Sequence, residues 1–120
     1  MLAAALVGHL VGDYLLQNDY LAMNKKKSSM VCLIHCLLWT MSVCLLSGLG
    51  YLSFLALLTT HFVQDRTNVI NWWMDLVGQR SFRTGPLSPW SIIVVDNTWH
   101  MLTIYVVVRW LHPIDLQMFG

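Results

Sequence analysis

The stretch HLVGDYLLQ, His9 to Gln17, poses the question that the fold must answer. It follows the apolar start MLAAALVG and sets His9, Asp13 and Gln17 at intervals of four, which places them on one face of a helix. Groups that bind protons and metal ions thus stand in line within a segment whose other residues suit lipid.

The rest of the chain makes lipid the expected solvent. Of 120 residues, 57% are hydrophobic and 11% charged, and there is no glutamate. With a mean hydropathy of +0.59, this reads as an integral membrane protein, because a water-soluble domain this short must present far more charge. The net charge of +1 argues against nucleic acid, since phosphate binding needs a basic face and the lysines form one short run.

Breaks in hydrophobicity predict an all-α fold, a bundle of four transmembrane helices at about 1–20, 30–47, 51–66 and 89–111 in one domain spanning 1–120, each near the about 20 residues that a span requires. Between them lie KKKSS (Lys25 to Ser29), the turn Gly48-Leu49-Gly50 and the loop Gly78 to Pro89. Ser88 is the expected N-cap of the fourth helix, with Pro89 at its first position. The first segment lacks a basic leader and carries His9 and Asp13, so it reads as a retained span and not as a cleaved signal peptide. In NVINWWMDLVGQ, Val69, Ile70, Trp73, Leu76 and Val77 share a face while Asn68, Asn71, Asp75 and Gln79 turn away. That pattern suits a short interfacial helix over 67–78, stopped by Gly78, or a continuation of helix three into the cytoplasm.

Basic residues set the orientation. Lys25, Lys26, Lys27, Arg66, Arg80 and Arg83 fall on the side of the first and third loops, and Arg109 lies opposite. The positive-inside rule makes that side cytoplasmic and puts both termini outside, as in a multi-pass protein of a bacterial cytoplasmic (inner) membrane.

The polar residues then fall into register. Helices one and three read His9-x-x-x-Asp13 and His61-x-x-x-Asp65, and helix four, running the other way, reads Asp96-x-x-x-His100. All three therefore place histidine on an outer level and aspartate about 6 Å nearer the cytoplasm. Helix two supplies His35 at a comparable depth. A lipid-facing aspartate near the membrane centre costs about 2.5 to 3.5 kcal/mol, so the three should be protonated, hydrogen-bonded to histidine or bound to metal.

Imidazole and carboxylate together suit a divalent ion: zinc, manganese or iron. His9, Asp13, His35, His61, Asp65, Asp96 and His100 are the candidate ligands, as one site with supporting groups or as two adjacent sites. His9, His61 and His100 are the expected first ligands, with His35 and the aspartates sharing the rest; Asp13, Asp65 and Asp96 are the candidates for acid-base catalysis. Cys32, Cys36 and Cys44 form no CxxC pair and read as small buried hydrophobes. Gly8 and Gly12 make a GxxxG that permits close packing or a dimer, and His112, beside Pro113, is expected to be exposed.

The opening HLVGDYLLQNDYLAMNK closely resembles the small bacterial and phage membrane proteins grouped as domain of unknown function 3307. Their pattern is a histidine, a Gly/Ala-Asp-Tyr/Phe core, Leu-Gln, an apolar residue and a lysine. His35, THFVQDRTN and DNTWHM stand where that family repeats a histidine, a His-x-x-x-Asp and an Asp-x-x-x-His, so the resemblance covers about residues 6 to 105. It implies the set His9, Asp13, Gln17, His35, His61, Asp65, Asp96 and His100. The family is distantly similar to inner-membrane proteins labelled metal-dependent hydrolases. An intramembrane metal-dependent hydrolase acting on a lipid-linked phosphate, ester or amide is the leading expectation. A proton or metal-ion carrier and a non-catalytic phage or bacterial membrane interaction protein are the alternatives.

Overall fold

The computed structural model describes residues 1–119, which are largely α-helical, with no strand among them. Helix α1 spans Leu2–Leu10 and runs into a π-helical turn, Val11–Leu15. Helices α2 (Asp19–Asn24), α3 (Ser29–Ser47), α4 (Tyr51–Arg66), α5 (Val69–Leu76) and α6 (Arg80–Thr84) follow. Helix α7 (Trp90–Val106) continues through a second π turn, Val107–Leu111, into α8 (His112–Phe119).

Several expected boundaries move, each for a local reason. The first helix does not run to residue 20, because Asn18 adopts an extended conformation and its side chain accepts Leu21 N–H at 2.9 Å, starting α2 afresh. The last helix does not end at Leu111. Pro113 has no N–H to give, and the π turn before it absorbs the mismatch by letting His112 N–H reach Val107 O. His112 is consequently half-buried, not exposed. Ser88 caps nothing: Pro89 occupies the N-cap of α7, and no side chain bonds the exposed N–H groups. The third loop contains α6, tied to α5 by Arg83, whose Nε and second guanidinium nitrogen each lie 2.9 Å from an Asp75 oxygen. Gly78 does end the α5 region, with φ +84.

Two helices are long and apolar enough to cross a membrane, Ser29–Ser47 and Trp90–Phe119. Leu2–Leu15 is apolar but shorter, and α4 has 16 residues with His61, Gln64, Asp65 and Arg66 in its last turns. By length and composition the fold therefore has two candidate spans where the sequence reading has four.

α1 packs on α3 and α7, and α4 on α3, α7 and α8, so these helices close around a common axis. Gly8 and Gly12 serve that closure within the chain. A Cβ on Gly8 would stand 2.6 Å from Val43 Cα, and one on Gly12 would stand 2.8 Å from Trp39 Cα. The glycine pair is spent on α3, not left for a second copy. At the far end, Asp115 of α8 caps α4, accepting Leu52 N–H at 2.7 Å and Ser53 N–H at 2.9 Å.

Polar groups lie inside the bundle beside its apolar core, while many large apolar side chains lie outside. His9, His35, His61 and His100 are each 1% exposed, whereas Leu15, Leu45 and Met30 are 66 to 78% exposed.

Candidate metal centre

Each of the helices α1, α3, α4 and α7 brings one histidine to the axis, because each positions it on the face that packs inward. Asp13 comes from the π turn after α1, Asp65 from the last turn of α4, and Asp96 from the second turn of α7. Asp13 lies within the π turn, and its Oδ1 reaches the rings of His35 on α3 and His61 on α4.

Four donor atoms converge most closely. His35 Nε2 lies 3.2 Å from Asp13 Oδ1, 3.0 Å from Asp65 Oδ2 and 3.1 Å from His61 Nε2. His61 Nε2 lies 3.6 Å from Asp13 Oδ1 and 3.1 Å from Asp65 Oδ2. A zinc ion holds such donors at about 2.0–2.1 Å in a tetrahedron, whose edges are then about 3.3 Å. The four atoms have nearly that spacing. Asp13 Oδ1 is aligned as a hydrogen-bond acceptor from neither imidazole, although both are close.

A second group adjoins it. His100 Nε2 is 3.2 Å from Asp65 Oδ1 and 3.1 Å from Asp96 Oδ2, and again has no hydrogen-bond partner. The Nδ1 atoms of His35, His61 and His100 also lack partners. Packing holds the rings instead: Trp39 stacks on His61 at 3.9 Å and 14°, and His61 lies 4.1 Å from His100.

His9 differs from the other three. Its Nδ1 accepts Trp39 Nε1–H at 3.0 Å and its Nε2 lies 3.0 Å from Asn97 Oδ1, so both ring nitrogens are engaged. His9 Nδ1 stands 3.5 Å from Asp13 Oδ2, but the nitrogen that accepts from Trp39 has no proton to give that carboxylate, and His9 does not join the four donors. The expected trio of first ligands, His9, His61 and His100, is thus not one constellation. Gln17 stays outside as well, its Nε2 lying 3.4 Å from the backbone oxygen of Asp13. Cys32 and Cys36 lie 3.8 Å apart, sulfur to sulfur, on α3, buried and outside both donor groups.

Three residues beyond the sequence reading complete the site. Lys25, counted only for orientation, places Nζ 3.0 Å from Asp65 Oδ2. Burial alone would lower the pKa of this ammonium, but the adjoining Asp65 carboxylate outweighs it and raises the value above the usual 10.5. Trp39 follows His35 by four residues and so shares its face, a signal the spacing contained. Asn97 is adjacent to Asp96, with its amide also bonded to the Tyr14 hydroxyl.

Access is asymmetric. A cavity of about 240 Å³, lined by Lys25, Lys26, Asn68, Asn71, Asp65 and Asp96 among others, reaches the aspartate end of the cluster. The opposite end is closed by Trp39, Ala5, Val43, Leu57 and Ile104, a dry layer with each residue at most 1% exposed.

The chain belongs to the family described as protein of unknown function (DUF3307), whose model matches residues 1–119. No curated protein and no solved structure matches it.

Proposed function

We propose that this family member is an intramembrane metal-dependent hydrolase whose ion is held by Asp13, His35, His61 and Asp65. The observation that carries the reading is the near-tetrahedral spacing of those four buried donor atoms, 3.0 to 3.6 Å along five of the six edges. Two nitrogens and two oxygens without sulfur admit zinc, manganese or iron, and the tetrahedral outline favours zinc.

Charge balance supports the same reading. Asp13, Asp65 and Asp96 meet at the axis, and Lys25 is the one lysine bonded to a carboxylate there. Buried carboxylates without counter-charge are strongly unfavourable, and a divalent ion supplies what one ammonium does not.

The many exposed large apolar side chains around the buried histidines support embedding of the whole bundle in a bilayer, with four crossings and both termini outside. Helix α4 would rise about 24 Å, short of a hydrocarbon core of about 30 Å, so the membrane would thin around it or Lys and Arg side chains would snorkel. The lysine-lined cavity would then open on the cytoplasmic side. With four protein donors in place, the ion would take up water only by expanding to five ligands; water so bound would have its pKa lowered towards neutrality, and substrate would reach it from this cavity. Among lipid-linked phosphates, esters and amides, Lys25 and Lys26 favour the phosphate, because two ammonium groups beside the entrance suit an anion.

A carrier fits less well. Ion passage requires an access path to both faces, and the layer around Trp39 closes one end. The reading is tested by elemental analysis of detergent-purified protein beside His61→Ala and His35→Ala, followed by hydrolysis assays on lipid phosphates with and without chelator. Wild-type protein should carry zinc, manganese or iron that both variants lose. Metal content unchanged in both would overturn it.

A further inference from the structure

The carboxylate of Asp65 is divided between two groups of donors. Its Oδ2 faces His35 and His61 at 3.0 and 3.1 Å, and its Oδ1 faces His100 at 3.2 Å. Both oxygens of one buried side chain, 2% exposed, are thus directed at imidazole nitrogens that belong to different clusters.

On the Oδ1 side the contacts are close without being hydrogen bonds. His100 is 1% exposed, its Nε2 lies within 3.2 Å of two carboxylate oxygens, and it is aligned with neither. An imidazolium that served only to neutralise Asp65 and Asp96 would point its N–H at one of them. A buried nitrogen close to two oxygens and aligned with neither is free to share an ion with them.

We propose that a second divalent ion binds among Asp65 Oδ1, Asp96 Oδ2 and His100 Nε2, so that Asp65 bridges two ions. The inference rests on the metal reading above and extends it. The first position has four protein donors and is complete as a tetrahedron. The second has three, leaving a place open for water, which is the arrangement that catalytic zinc requires. That place lies at the cavity end, since Asp65 and Asp96 both line the space beside Lys25 and Lys26. Paired ions in hydrolytic centres stand about 3.5–4 Å apart, a separation that one bridging carboxylate spans.

Charge fits the pairing. Three carboxylates and one lysine leave two negative charges, which the first dication offsets. The second creates a positive surplus that a bound hydroxide and an anionic substrate group balance, in keeping with the lysines at the entrance.

The test is metal counting. Protein stripped with chelator in detergent, reloaded with zinc and desalted, should retain two zinc ions per chain, and His100→Ala should retain one. Asp96→Asn, at a side chain 26% exposed, should also retain one and serves if His100→Ala does not fold. Manganese-loaded wild type should give an exchange-coupled electron paramagnetic resonance spectrum, replaced in either variant by that of an isolated ion. A wild type that holds one zinc, unchanged in both variants, overturns the second ion while leaving the first. A wild type that holds none overturns both readings, and two ions without exchange coupling overturn the bridge.

Discussion

The indole of Trp39 lies flat against the imidazole of His61 at 3.9 Å while its Nε1–H donates to His9 Nδ1 at 3.0 Å. One side chain therefore fixes a candidate ligand by its face and a supporting histidine by its edge. Trp39→Phe should keep the stack and lose the hydrogen bond, costing about 1–2 kcal/mol with metal content unchanged. Trp39→Ala should cost about 3–5 kcal/mol and lower metal retention, because the wall behind His61 is gone. Thermal unfolding in detergent with metal analysis of the same samples checks both.

His9 and His61 separate a supporting role from ligation. His9→Gln can still accept from Trp39 and pair with Asn97, so it should retain the metal and lose about 1 kcal/mol of stability. His61→Ala should lose the metal. Equal metal loss in the two variants would return His9 to the ligand set.

Lys25 bears on charge and on pH. An ammonium about 5 Å from a dication opposes it by about 7 kcal/mol at an effective dielectric of 20 and by about 1.7 kcal/mol at that of water, and partial exposure of the side chain draws the net effect towards the lower figure. Lys25→Met should therefore raise zinc affinity about tenfold, measured by competition with a chelating dye, and weaken binding of inorganic phosphate.

The same lysine predicts an alkaline limit. Its folded pKa is raised above 10.5 by Asp65, so its contribution to stability is complete below pH 10.5 and lost as pH rises through the higher folded value. Wild-type protein should lose stability above pH 10.5 more steeply than Lys25→Met, as read from unfolding midpoints across pH 8 to 12.

Close backbone contact makes the glycines of α1 sensitive. A Cβ at Gly8 meets Val43 Cα at 2.6 Å, so Gly8→Ala should destabilise by about 1–3 kcal/mol as α1 is pushed from α3. Gly48→Ala meets nothing within 4 Å but must hold φ +76, and should cost about 1 kcal/mol. Unfolding measurements on both variants, with size-exclusion profiles unchanged, would locate the glycine effect within the chain.

Much of the helical core is legible because its punctuation is chemical. Ser28 and Gly48 bracket α3, and Gly50 starts α4. What escapes is conditional on neighbours. Whether the last helix stops at Leu111 or carries Pro113 depends on a π turn that no residue spells out. Spacing by four shows which side chains share a face, and it brought Asp13, His61, Asp65, Asp96 and His100 into view together. It does not show which ring nitrogens are already taken, and for that reason His9 reads as a ligand until Trp39 and Asn97 are seen against it. Lys25 escapes because its partner, Asp65, is 40 residues away.

The dry layer around Trp39 makes the centre a cul-de-sac. The cavity beside Lys25 reaches the aspartate end of the centre, so under the proposed hydrolase reading substrate and product would share one doorway. Turnover of the kind proposed would not be vectorial there. Its rate in sealed vesicles should be indifferent to an imposed membrane potential, and a competing product should inhibit from the lysine side alone.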